Sequence, residues 1–91
     1  MPSTEPIVTP IIHPNGDRRE TLMARLEAAM DAVSAAMDTL RACAPNGRNF
    51  YPEAGRMTQA DAQHRARQAH LQAVYDSLEQ EAIQIDATSA T

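Results

Sequence analysis

Between residues 22 and 43 the apolar side chains return at alternating intervals of four and three: Leu22, Leu26, Ala29, Val33, Ala36, Leu40, Cys43. That period keeps one face of an α-helix apolar along its whole length, the pattern of a helix packed against another in coiled-coil fashion. A second series, Met23, Met30 and Met37, recurs every seven residues beside the first. Ala24, Ala28, Ala32, Ala35 and Ala42 cover much of the remaining surface, leaving a narrow polar wedge of Glu27, Asp31, Ser34 and Asp38. A helix apolar on most sides has neighbours on most sides. One partner helix cannot supply them, so the pattern predicts an oligomer.

Local signals set the expected boundaries. Asp17 and Glu20 have the spacing of a capping box, which satisfies amide donors at a helix start. Pro45 and Asn46-Gly47 are stop signals, which gives a first helix over 18–44. Residues 45–57 read as a loop. A second helix is expected over 59–85, opened by Thr58 and Asp61, with an inward stripe of Leu71, Val74, Leu78, Ala82 and Ile85. Continued backwards, that stripe meets Arg67, His64 and Ala60, so the seam turns polar beside the loop. Pro2, Pro6, Pro10 and Pro14 forbid helix over 1–16 and predict an extended arm, made adhesive by Ile7, Val8, Ile11 and Ile12. Residues 86–91 read as a disordered tail. The expected fold is all-α: an antiparallel two-helix hairpin with an extended Pro-rich N-terminal arm, assembling into an oligomeric helical bundle.

Length points the same way. A chain of 91 residues makes one domain and buries only about 60% of its unfolded surface alone. Small domains compensate with disulfides, metals or partners. Cys43 is the single cysteine, and one thiol with three histidines matches no zinc spacing, which leaves partners. Phe50, Tyr51 and Tyr75 are the only aromatic residues, so aliphatic side chains and Met must build the core, and Cys43 on the first stripe reads as a small buried apolar group. No basic leader region opens the chain, and no apolar run nears the ~20 residues of a membrane span. A cytoplasmic protein without membrane contact is expected.

The net charge of −4 argues against general nucleic-acid binding. Its distribution is uneven: residues 41–67 hold Arg41, Arg48, Arg56, Arg65 and Arg67 against Glu53 and Asp61, a net +3, while residues 68–91 carry four acids and no base. Every basic residue is Arg. A guanidinium forks onto phosphate or carboxylate, although a GC-rich genome would favour Arg as well.

These observations converge on the loop end of the hairpin. Arg48, Asn49 and Tyr51 come from the loop, and His64 and Arg67 from the early turns of the second helix. Such a set suits an anionic ligand with a planar ring: the arginines take the charge, Tyr51 stacks the ring and Asn49 reads its edge. A purely structural reading stays open, in which the arginines bind helix-one carbonyls, Tyr51 plugs the hairpin and His64 is a satisfied interface residue. A second cluster, His13-Pro14-Asn15-Gly16 with Arg18 and Arg19, reads as a turn. In a head-to-tail oligomer His13 and Asn15 could instead complete a neighbour's site; within one hairpin they lie ~40 Å from the loop. No Ser-His-Asp set, paired inward carboxylates or glycine-rich phosphate loop is present, so neither catalysis nor a cofactor is expected.

His-Pro-Asn-Gly before the first helix and Ala-Pro-Asn-Gly-Arg-Asn-Phe-Tyr-Pro after it resemble phrases in a group of small proteins encoded by bacteriophages and prophages. There, similar phrases flank an alanine- and leucine-rich helix, with Asp-Tyr-Tyr where this chain has Asn49-Phe50-Tyr51. The resemblance spans roughly residues 12–80. It implies Asn15, Gly16, Asn46, Gly47, Arg48, Tyr51 and Pro52 as positions to test, and Asn49 departs from any role for an acid. It also implies a context in which tiny oligomeric proteins counter bacterial defence. They do so by sequestering a nucleotide signal or, alternatively, by blocking a defence protein directly; a purely structural phage bundle is the third reading.

Overall fold

A computed structural model describes residues 6–10, 18–49 and 54–89. Two helices pack against each other, α1 over Arg19–Arg41 and α2 over Ala54–Ser89, joined through a short 3₁₀ turn at Gly47–Asn49. Among the described residues there is no strand. The chain is a rod of 63 × 23 × 18 Å with a Cα radius of gyration of 18.4 Å. A compact chain of this length would have a radius of about 12 Å.

The helix ends differ from the sequence expectation for local reasons. Arg18 takes the N-cap position in extended conformation, and its side chain makes no capping bond. Its carbonyl accepts the first helical bond, from Leu22 N–H at 3.0 Å. The Asp17 half of the expected capping box lies outside the described residues. α1 stops at Arg41 rather than Ala44. The residue before a proline avoids helical backbone. The chain ahead of Pro45 accordingly tightens into i→i+3 bonds, Cys43 N–H to Leu40 O at 2.8 Å and Ala44 N–H to Arg41 O at 3.2 Å.

α2 opens at Ala54 rather than Gln59. Gly55 falls in the stretch with loop-like composition, but a glycine in a first helical turn costs only about 1 kcal/mol, and Arg56 and Met57 after it favour helix. Thr58 therefore sits inside the helix and is not its cap. At the other end α2 runs on to Ser89, so residues 86–89 are helical and not a disordered tail. Nothing in Asp86-Ala87-Thr88-Ser89 breaks a helix, and Asp86 is held by an ion pair with Arg19.

The inward face of α2 is Met57, Asp61, His64, Gln68, Leu71, Tyr75, Leu78, Ala82 and Ile85, each buried or half-buried. The spacing is four–three throughout. Two expected members, Arg67 and Val74, are exposed, and their places are taken by Gln68 and Tyr75. On α1 the inward series is Arg19, Met23, Leu26, Met30, Val33, Met37 and Leu40, with Leu22 and Ala29 half-shielded beside it. Ala36 and Cys43, expected on the seam, are exposed, and the methionines hold three of the seven seam positions rather than a second stripe. Cys43 is a free thiol beyond the end of α1.

The Arg19–Asp86 pair joins the first turn of α1 to the end of α2, as the antiparallel arrangement requires. Along the seam, Leu26, Met30, Val33, Leu71, Tyr75, Leu78 and Ile85 give way to Gln68, His64 and Asp61. The layers are apolar from the open end to the middle and polar toward the loop. Shielding is sparse: only Leu26, His64 and Ile85 are buried among the described residues.

Candidate functional site

The loop end is built from a pinned turn and an overhanging helix. After α1 unwinds, the Asn46 side-chain Oδ1 accepts from Arg48 N–H at 2.9 Å, and the Asn46 carbonyl accepts from Asn49 N–H at 2.9 Å. An Asx turn of this kind lets a short amide side chain substitute for a backbone partner. Its consequence is that Arg48 and Asn49 are both exposed on a fixed backbone. The space around Gly47 is open: a Cβ there would meet nothing within 4 Å.

Two arginines are ion-paired and others, Arg18 at the open end among them, have no carboxylate partner among the described residues. At the open end Arg19 pairs with Asp86. At the end of α1, Arg41 donates to Asp38 at 2.6 Å, three residues back on the same helix. Among the described residues the guanidiniums of Arg48, Arg65 and Arg67 have no such partner. Of these, Arg48 lies at the loop end, and Arg65 and Arg67 lie three turns further along α2.

His64 faces inward, as the stripe predicts, and is 7% exposed. Its Nδ1 is buried and finds no hydrogen-bond partner among the described residues. A buried polar atom left in this state costs about 1–3 kcal/mol. The imidazole occupies a seam position, with half-buried Asp61 and Gln68 one turn to either side. This polar layer is unlike the satisfied interface histidine of the purely structural reading.

Arg67 is not on the inward stripe. It lies exposed on a flank of α2, about 20 Å along the helix from Ala54 at 1.5 Å per residue. The structure therefore places Arg48 and Asn49 together, buries His64 deeper in the seam and sets Arg67 apart from all three. Tyr51, His13 and Asn15 lie outside the described residues. His70 is exposed. Among the described residues no group of three or more His, Cys, Asp or Glu could hold a metal ion, and no helix is long and apolar enough to cross a membrane.

Sequence reasoning missed the Asn46 turn as the device that fixes Arg48, although the Asn46-Gly47 pair carried the signal. It also missed the orphaned His64 nitrogen, which no local pattern reveals. Compared with protein families, curated proteins and solved structures, the chain matches none.

Proposed function

We propose that this chain is a non-catalytic binding protein that works as an oligomer and sequesters an anionic, nucleotide-like small molecule at its loop end. The observation that carries the reading is Arg48: an exposed guanidinium with no carboxylate partner among the described residues, on a turn pinned by Asn46, in the positive part of an acidic chain. A guanidinium carried on a held backbone offers paired donors to phosphate or carboxylate. Asn49, exposed beside it, supplies an amide for the edge of a ring, and Tyr51 is assigned the stacking role. The resemblance to small phage-encoded proteins supplies the context, in which the captured molecule is a nucleotide signal of host defence.

Arg67 is left out of this ligand set because it stands apart from Arg48. His64 is assigned to the seam, where its unpaired nitrogen marks the polar layer beneath the loop end.

A second reading is a protein–protein inhibitor or adaptor. Its candidate contact is Ile83, the large apolar side chain left 52% exposed on the outer surface of α2.

The test is titration of the purified chain with linear and cyclic nucleoside phosphates, run on the wild type and on Arg48→Ala. The reading expects binding that Arg48→Ala weakens while the melting temperature holds. Binding equal in both proteins, or none in either, contradicts it. Capture of a defence protein through a surface containing Ile83, without nucleotide, would favour the second reading.

A further inference from the structure

The seam changes character along its length. Toward the open end Leu26, Tyr75, Leu78 and Ile85 meet, whereas toward the loop α2 contributes Gln68, His64 and Asp61. His64 is the most deeply covered of these, and its Nδ1 has no hydrogen-bond partner among the described residues. The seam thus holds an ionisable ring that the proposed ligand set does not use.

The surroundings of the ring decide what a further proton would do there. On α2 the neighbouring acid is Asp61, one turn before it and half-buried, and the two make no ion pair among the described residues. Arg65, Arg67 and His70, which follow on the same helix, are exposed. From α1 the inward side chains at this end, Met37 and Leu40, carry no charge, while Asp38 and Arg41 are exposed and paired with each other. In the connecting turn Arg48 is exposed; Tyr51 and Glu53 lie outside the described residues. No described carboxylate is in place to receive an imidazolium, and the arginines that follow it oppose one. A charge without a partner is resisted inside the seam. Opening the seam hydrates the ring and lets the proton bind, so opening and proton uptake are linked.

We infer that His64 makes the loop-end half of the hairpin an acid-sensitive clasp: in mild acid the end of α1 and residues 57–68 of α2 part, while the other half stays closed. The division follows from the seam. Parting the open-end half would expose Leu26, Tyr75, Leu78 and Ile85, and that half is also tied by Arg19 to Asp86 and by Thr9 to Gln84. Parting the loop-end half exposes Asp61, Gln68 and His64 with Met37 and Leu40, and relieves the orphaned nitrogen. Units with less apolar contact open at lower cost. The turn that carries Arg48 joins the two parting segments, so the clasp would act on whatever the loop end holds. The inference itself needs no ligand.

The experiment is amide hydrogen exchange, read by mass spectrometry on the full chain at about pH 7.5 and about pH 5.5, either side of the usual imidazole range. Protection is corrected for intrinsic exchange at each pH. Between the two, wild-type protection over residues 57–68 falls by about tenfold, the result for one proton taken up near pH 6.5. Protection over residues 71–86 holds. In His64→Gln, which keeps a polar side chain that does not titrate here, and in His64→Leu, the acid-dependent fall over 57–68 is lost. Both variants retain His13 and His70, whose titration is thereby subtracted, and if one variant fails to fold the other decides. Equal wild-type protection at the two pH values, the same fall in a folded variant, or a fall spread evenly over both halves overturns the inference. So does a gain of protection in acid, which would mean that the imidazolium pairs with Asp61 inside the seam.

Discussion

Arg19, in the first turn of α1, is ion-paired with Asp86, near the end of α2. The pair ties the two helices together at the open end of the hairpin. Its guanidinium also offsets an acid placed unfavourably near a helix C-terminus. Both side chains are well exposed, 35% and 64%, so screening keeps the energetic contribution below about 1 kcal/mol. Arg19→Ala is therefore expected to lower the melting temperature by only a few degrees and to speed amide exchange over residues 86–89. A large loss of stability, or unchanged exchange there, would show that the pair does not hold this end.

The early start of α2 makes Gly55 a helical residue. A Cβ at this position would meet nothing within 4 Å, so Gly55→Ala removes unfolded-chain entropy without a clash. The expected gain is about 0.4–1 kcal/mol, read as a rise in melting temperature. No gain is expected if residues 54–58 were loop, and that result would return the start of α2 to Gln59.

His64→Leu is predicted to stabilise the hairpin. The change keeps a large side chain in the seam and removes the buried Nδ1 that has no partner among the described residues. The expected increase is about 1–3 kcal/mol. Since one kcal/mol moves a domain of this size by about 4–8 °C, thermal melting resolves it easily. A fall in melting temperature would mean that the imidazole has a partner in solution.

Cys43 sits past the end of α1 and is exposed. A thiol reagent such as Ellman's should consequently titrate it completely in the native protein, without denaturant. Protection until the protein unfolds would restore the buried seam position that the four–three pattern assigns to it.

The hairpin was legible because Leu26, Leu71, Leu78 and Ile85 leave little choice of face, and His64 was correctly read as inward for the same reason. The seam's finer course was not. At the step after Leu71 the sequence offers Val74 or Tyr75, and hydrophobicity favours valine. The structure keeps the strict heptad instead, turning Tyr75 inward and Val74 and Arg67 onto the flank. Cys43 fits the pattern on paper, yet Pro45 unwinds the helix before reaching it. Gln84 is half-buried and bonded to Thr9, 75 residues away in the chain, and no local period encodes that.

The most direct test of the account is native mass spectrometry of the freshly purified protein, followed by titration with linear and cyclic nucleoside phosphates on wild type, Arg48→Ala, Tyr51→Ala and Arg67→Ala. The account predicts that the wild type binds a phosphate-bearing molecule. Arg48→Ala weakens that binding by about 1.5–3 kcal/mol, the range for hydrogen bonds to charged groups, and Tyr51→Ala by about 1–3 kcal/mol, the worth of a stacked base. Melting temperatures of both variants stay near the wild-type value. Arg67→Ala leaves ligand affinity unchanged. A wild type that binds none of these molecules, or an Arg48→Ala protein that binds as tightly as wild type, would contradict the account.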